Sequence, residues 1–271
     1  MTAKKEDIKL ILCDIDNTIL PPHHTEISQR LKDDFQKVMQ KGIQVIIDTG
    51  RHYTFIPPSF FRDLPMEYIV TINGACLCDR EGNILQKREM SEEQMNRITE
   101  LCQKNGIGLG FKFSDRIVTY ANYDVFVEGY TQNIPELRNK ILNDDEKRSH
   151  HLAAGYPLGT FLIGNENIIE PFVNAMPELT FAWSARRGYD VFLKDITKAS
   201  GAEPLLKKLG IGWQNVMAFG DAGNDTPMIA AAGIGVAMEN SKDDVREAAD
   251  MIAPPCEEDG VAQVLEKMFL E

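Results

Sequence analysis

Long apolar runs are missing from this 271-residue chain: none approaches the ~18 residues that a helix needs to cross a bilayer, so no membrane-spanning helix is expected. The opening "MTAKKEDIKLILCD" has lysines, but Asp14 cuts its apolar run short, which excludes a signal peptide and makes the cytoplasm the expected address. Cysteine is scarce and odd in number. Cys13, Cys76, Cys78, Cys102 and Cys256 form no disulfide framework, and Cys76-Leu-Cys78 has no second pair to complete a zinc site. They read as small buried hydrophobes. Positive charge is also short: 29 Lys and Arg against 41 Asp and Glu give −12. Nucleic acid and anionic membrane both need a concentrated basic face, so neither is an expected partner. Nucleotide-binding glycines are incomplete, since "GIGLG" at 106–110 lacks the third glycine and no G-x-x-x-x-G-K occurs.

What is present is an ordinary globular composition, 43% hydrophobic and 26% charged, in a chain long enough for one large domain or two modest ones. An anionic substrate would need local positive charge against the acidic background, and a metal ion would supply it.

The N-terminal part alternates strand and helix. Ile8 to Cys13 reads as a buried strand, and Ser28 precedes a helix with Leu31, Phe35 and Val38 on one face. Gly42 ends that helix; "IQVIID" (43–48) and "YIVTI" (68–72) follow as strands. The pattern then changes to a hairpin around "DREGN", a helix capped by Ser91 with Gln94, short strands, and helices near 135–145 and 166–175. From about 191 the first pattern resumes, with a helix around 199–209 in which Pro204 marks either a late start or a kink, the strand "VMAFG", a helix after Asn224, the strand "IGVA" and a C-terminal helix. The expected fold is α/β: a doubly wound parallel-sheet core from residues 1–80 and 191–271, with an α+β domain inserted at 81–190. In such sheets ligands bind beyond the carboxyl ends of the strands, where Asp14, Asp16, Thr49, Asn73 and Asp221 all fall.

Asp14 and Asp16 at a strand exit face the same side, and suit a carboxylate nucleophile beside a general acid/base. A calcium-like loop or a helix N-cap is the structural alternative. "AFGDAGNDTPMI" (218–229) places Asp221 and Asp225 at another strand end, where hard oxygen ligands suit Mg²⁺; Asn224 or Asp225 as an N-cap is the alternative. "IIDTGR" (46–51) offers the Thr49 hydroxyl and the Gly50 backbone as a phosphate cradle, and Arg51 as a bidentate contact or a surface ion pair. Lys198 opens a helix and would be the fixed cation of such a site.

These motifs, D-I-D-N-T (14–18), T-G-R (49–51), I-N-G-A (72–75), Lys198 and G-D-A-G-N-D (220–225), resemble in order those of the haloacid dehalogenase (HAD) superfamily, and most closely its Cof-like subclass IIB phosphatases. The resemblance spans nearly the whole chain and implies a Rossmann-like core, a substrate-specificity cap that closes over the site, and an aspartyl-phosphate mechanism on small phosphorylated metabolites. It implies that Asp14 is the nucleophile and Asp16 the acid/base. It implies Mg²⁺ held by Asp14, Asp221 and the Asp16 carbonyl, with Asp225 behind its waters. Thr49 and Lys198 would bind phosphoryl oxygens, and Asn73 and Asn224 would support them. The sequence departs from the family pattern at Asn17, where glycine is usual, and at Asp48, where a small residue is usual.

Sugar phosphates are the expected substrates, followed by pyridoxal phosphate or flavin mononucleotide. A phosphomutase of the same fold, or a non-catalytic phosphate sensor, is the alternative; the sensor's expected signature is loss of Asp14, Asp16 or Lys198, all present here. His23-His24 and His150-His151 read as surface histidines. Phe111, Phe113, Phe161, Phe181 and Trp183 read as core of the inserted domain. No interface, and hence no oligomeric state, is legible.

Overall fold

The computed structural model describes residues 4–184 and 188–271. By its internal contacts the chain divides into two compact units. The first comprises the chain up to Thr49, Ile56–Leu85 and Thr197–Glu271; the second comprises Gly50–Phe55 and Gln86–Ile196. The range 81–190 read from the sequence therefore differs from the second unit by a few residues at either end, and omits residues 50–55.

The first unit is built on an eight-stranded sheet. Its order is Met251–Ala253, Ile234–Met238, Val216–Gly220, β1 (Leu10–Cys13), β2 (Gln44–Asp48), β3 (Tyr68–Thr71), β4 (Cys76–Asp79) and β5 (Ile84–Lys87). The first six are parallel, and β4 turns back antiparallel on β3. β1 is central because all four of its residues are apolar and buried, which suits a strand covered on both faces. β5 is exposed along its length, as a polar edge strand is.

Helix α1 (Gln29–Gln40) starts where expected: the Ser28 side chain accepts from the Leu31 amide at 3.1 Å, and Leu31, Phe35 and Val38 are buried. The helix Lys198–Leu209 begins on a Thr197–Ser200 capping box and continues through Pro204. Proline has no N–H, so the Ser200 carbonyl forgoes its intrahelical bond there.

The second unit has a six-stranded sheet ordered Leu179–Ser184, Gly188–Leu193, Gly159–Ile163, Gly108–Lys112, Ile117–Ala121 and Ile141–Asn143. All its pairings are antiparallel except the last. The capping box of Ser91 and Gln94 forms, and helix Glu92–Asn105 buries Met95, Ile98 and Cys102 against Leu109, Phe111 and Phe113. The helix expected near 135–145 is only Pro135–Arg138; Ile141–Asn143 instead pairs with Ile117–Ala121, a tertiary ladder overriding local propensity.

Phe111, Phe113 and Phe161 are core, Phe181 is half-buried, and Trp183 is 48% exposed. His23 and His24 are exposed. His150 and His151 are not: partly buried, they pair with Asp115 at 3.0 Å and the Tyr120 hydroxyl at 2.9 Å. All five cysteines are free and buried. Among the described residues no helix is long and apolar enough to cross a membrane.

Candidate active site

The parallel strands of the first unit end together, and the loops beyond their carboxyl ends carry the chemistry. Asp14 follows β1, Thr49 follows β2, Asn73 lies two residues past β3, and Asp221 follows Val216–Gly220. The Asp14 amide donates to the Phe219 carbonyl at 3.0 Å, tying the first of these loops to the last. Beyond Asp14 the chain turns sharply. The amides of Thr18, Ile19 and Leu20 all donate to the Ile15 carbonyl, and Asn17 sits at φ 60°. Asparagine tolerates that left-handed conformation, so the departure from glycine keeps the turn.

Asp14, Asp221 and Asp225 form a cluster whose carboxylate oxygens lie within 4.8 Å of one another. The buried Lys198 ammonium donates to Asp14 Oδ1 and, at 2.5 Å, to Asp225 Oδ1. Asp225 Oδ2 accepts from the Asp221 and Ala222 amides, both at 3.0 Å, so Asp225 braces the loop as well as the lysine. Thr18 Oγ1 donates to Asp221 Oδ1 at 3.1 Å, and Asn224 Nδ2 donates to Asn73 Oδ1 at 2.9 Å.

Lys198 reaches the cluster because its helix packs backbone to backbone on the Asn73–Gly74 turn. A Cβ on Gly201 would lie 2.2 Å from the Gly74 Cα, and one on Gly74 would lie 2.1 Å from the Thr197 carbonyl oxygen. Only glycine at both positions allows this approach.

Burial pushes the Asp14 carboxyl well above the usual carboxylate range; Lys198 opposes the shift, and Asp225, Asp221 and Asp16 add to it. Burial, then the Asp225 charge, raises Asp221 to about 7. For Lys198 burial works against the charge, but Asp14, Asp225 and Asp48 outweigh it and hold the ammonium above its ordinary range. Three carboxylates against one ammonium leave a formal −2 in a desolvated pocket, three minus one. That is an unstable balance, which a divalent cation would relieve.

The structure thus brings together Asp14, Lys198, Asp221 and Asp225, with Asn73 and Asn224 joined beside them. Asp16 lies outside the three-carboxylate cluster and is more exposed than Asp14, although Asp14 still feels its charge. Thr49 is buried; its amide donates to Val70 and its carbonyl accepts from the Asn73 amide at 3.1 Å. Gly50 and Arg51 belong to the second unit, where Arg51 Nη1 donates to the Phe55 carbonyl at 3.1 Å.

Sequence reasoning assigned no role to Thr18, although it lies inside D-I-D-N-T. The signal was a hydroxyl two residues past Asp16, and its partner is 203 residues away. The pairing of Gly74 with Gly201 was likewise invisible, because neither glycine is exceptional alone.

The sequence pattern of the haloacid dehalogenase-like hydrolase family matches residues 11–265. The chain is 26% identical over 278 residues to the 5-amino-6-(5-phospho-D-ribitylamino)uracil phosphatase YcsE of Bacillus subtilis, covering 100% of both. It is 24% identical over 267 residues to the pyridoxal phosphate phosphatase YbhA of Escherichia coli, covering 95% of this chain and 97% of that one. A crystal structure of a haloacid dehalogenase-like hydrolase from Bacteroides thetaiotaomicron superposes with a TM-score of 0.81 at 26% identity, covering 97% of this chain and 100% of the other.

Proposed function

The chain belongs to the haloacid dehalogenase-like hydrolase family, and on that premise we propose that it is a Mg²⁺-dependent phosphatase of small phosphorylated metabolites, working through a phosphoaspartate. The observation that carries this reading is the under-neutralised cluster of Asp14, Asp221 and Asp225 around buried Lys198. The donor set fits Mg²⁺: hard carboxylate oxygens from two strand ends. Asp14 and Asp221, with the Asp16 carbonyl, would hold the ion, and Asp225 Oδ1 keeps a lone pair beside its Lys198 bond for a water, while Oδ2 is filled by the Asp221 and Ala222 amides. When bound, the ion supplies charge neutralisation of the phosphoryl oxygens.

The chain's own residues account for the rest. Asp14 attacks phosphorus in line and the alkoxide leaves, taking a proton from Asp16. Asp16 then removes a proton from water as that water attacks the phosphoaspartate, and the P–O bond to Asp14 breaks, releasing inorganic phosphate. The greater exposure of Asp16 suits proton exchange with an arriving alcohol and water. Lys198 pulls Asp14 toward its ionised form against the effect of burial and offsets its repulsion from the dianion; Thr49 donates to a phosphoryl oxygen, and Asn73 and Asn224 hold the strand ends in register. Gly50 and Arg51 extend the phosphate-binding segment, and the second unit selects the leaving group.

Sugar and polyol phosphates are the preferred substrates in this reading. The phosphoribityl group in the name of the Bacillus subtilis relative supports them, and the Escherichia coli relative makes pyridoxal phosphate the next choice. The test is phosphate release from a panel of sugar phosphates, a ribityl phosphate, pyridoxal phosphate and flavin mononucleotide, with Mg²⁺, with EDTA and with Asp14→Asn. Turnover abolished by both controls is expected. Isomer formation without phosphate release would replace the phosphatase with a mutase.

A further inference from the structure

Residues 50–55 follow Thr49 directly, yet they belong by contact to the second unit. Four tethers hold them there. Lys112 Nζ donates to the Gly50 carbonyl at 2.8 Å, and His52 Nε2 to the Phe113 carbonyl at 2.8 Å. Lys140 Nζ donates to the Thr54 carbonyl at 2.7 Å, and the Phe55 ring meets Tyr130 edge-on with centroids 5.4 Å apart.

Lys112 differs from the others in kind. It is a 1% exposed ammonium in the sheet of the second unit, paired with Asp190 Oδ1 at 2.7 Å. A buried ion pair stabilises a fold no better than a well-packed apolar pair of similar volume, so stability does not explain the charge. What the ammonium does, and a methyl could not, is bond the Gly50 carbonyl 62 residues away in sequence. The Gly50–Arg51 peptide is planar, so fixing its carbonyl also fixes the direction of the Arg51 N–H. Glycine is the residue least able to fix that direction by itself.

We infer that Lys112 is a positioning residue: by holding the Gly50 carbonyl it orients the Gly50–Arg51 peptide of the phosphate-binding segment. The inference rests on the phosphatase reading above for the role of that segment, and it adds a residue that no motif contains.

The test uses the full chain carrying Lys112→Met with Asp190→Leu, which removes the pair together and leaves no unpaired buried charge. Two readouts are taken: amide hydrogen exchange across residues 50–55, and inhibition of p-nitrophenyl phosphate turnover by inorganic phosphate. Exchange in the segment should quicken, and the phosphate inhibition constant and KM should both rise about tenfold, the scale of one lost hydrogen bond, with kcat changed less. Asp190→Glu, which keeps a carboxylate beside Lys112 and leaves Lys112 on Gly50, should stay within about twofold of the unsubstituted protein by the same scale. Unchanged exchange overturns the inference. So does faster exchange with unaltered phosphate inhibition, or an Asp190→Glu effect equal to the double variant's. If the double variant does not fold, Lys112→Met alone carries both readouts. Failure of the phosphatase reading shows itself differently, as no phosphate release by the unsubstituted chain.

Discussion

Among the described residues neither buried carboxylate oxygen of Asp48, one position ahead of Thr49, has a hydrogen-bond partner. Burial pushes this carboxyl well above its usual range, against the pull of Lys198. A folded value above the unfolded one means that its contribution is intact in acid and is lost as pH rises. Asp48→Asn should therefore raise stability at pH 7 by about 1–3 kcal/mol, the cost of an unsatisfied buried group. The gain measured by urea unfolding should shrink toward pH 4. Lys198→Met should do the reverse: stripping the cation from Asp14 and Asp225 should cost about 3–5 kcal/mol at pH 7 and abolish phosphate release. Part of that stability should return at pH 5, where the carboxyls protonate. At this scale Asp14 and Asp221 were legible because each sits in a short motif at a strand end, and Lys198, which opens a helix, because a site of several acids needs a fixed cation. The bracing of Asp225 and the solitude of Asp48 were not, since both depend on what the folded backbone delivers from elsewhere in the chain.

The decisive element is the helix Lys198–Leu209, whose seating on the Asn73–Gly74 turn sets where Lys198 arrives. Gly201→Ala should cost about 1–3 kcal/mol by overpacking, and should lower phosphate release beyond what partial unfolding explains. Gly42→Ala is the comparison: Gly42 has φ +85° with open space around it, so the change strains only the end of α1 and should leave turnover per folded molecule unaltered. Thermal melts paired with activity assays separate the two. Strands with unbroken apolar runs, such as β1 and Val216–Gly220, and helices with a cap at each end were readable from sequence. Ile141–Asn143 was misread as helix because its pairing with Ile117–Ala121 lies beyond any local window. Pro204 left the course of its helix undecided for the same reason.

Across the molecule the two units should answer acid oppositely. In the first, Asp14, Asp48 and Asp221 are raised by burial, so without a metal stability is gained as pH falls below about 7, the value of Asp221. In the second, burial lowers His52 to about 4. The Thr54 amide donates to its Nδ1, so the ring is neutral with its proton on Nε2. The unfolded chain takes up that proton near pH 6.5 and the folded one only near 4, so stability drains away across this window, by about 3 kcal/mol in full. Calorimetry in EDTA should show transitions moving apart between pH 7 and 5, and His52→Gln should cancel the second shift. An inserted second domain was visible as a change of strand–helix rhythm. Its claim on residues 50–55 was not, because hexapeptide and sheet are some sixty residues apart, as Gly50 and Lys112 show. That claim bears on recombination between relatives. A chimera cut only at Leu85/Gln86 and Ile196/Thr197 would seat a transplanted sheet against six residues from the wrong parent, and a working exchange must make four crossovers, with Thr49/Gly50 and Phe55/Ile56 added, so that the short segment travels too.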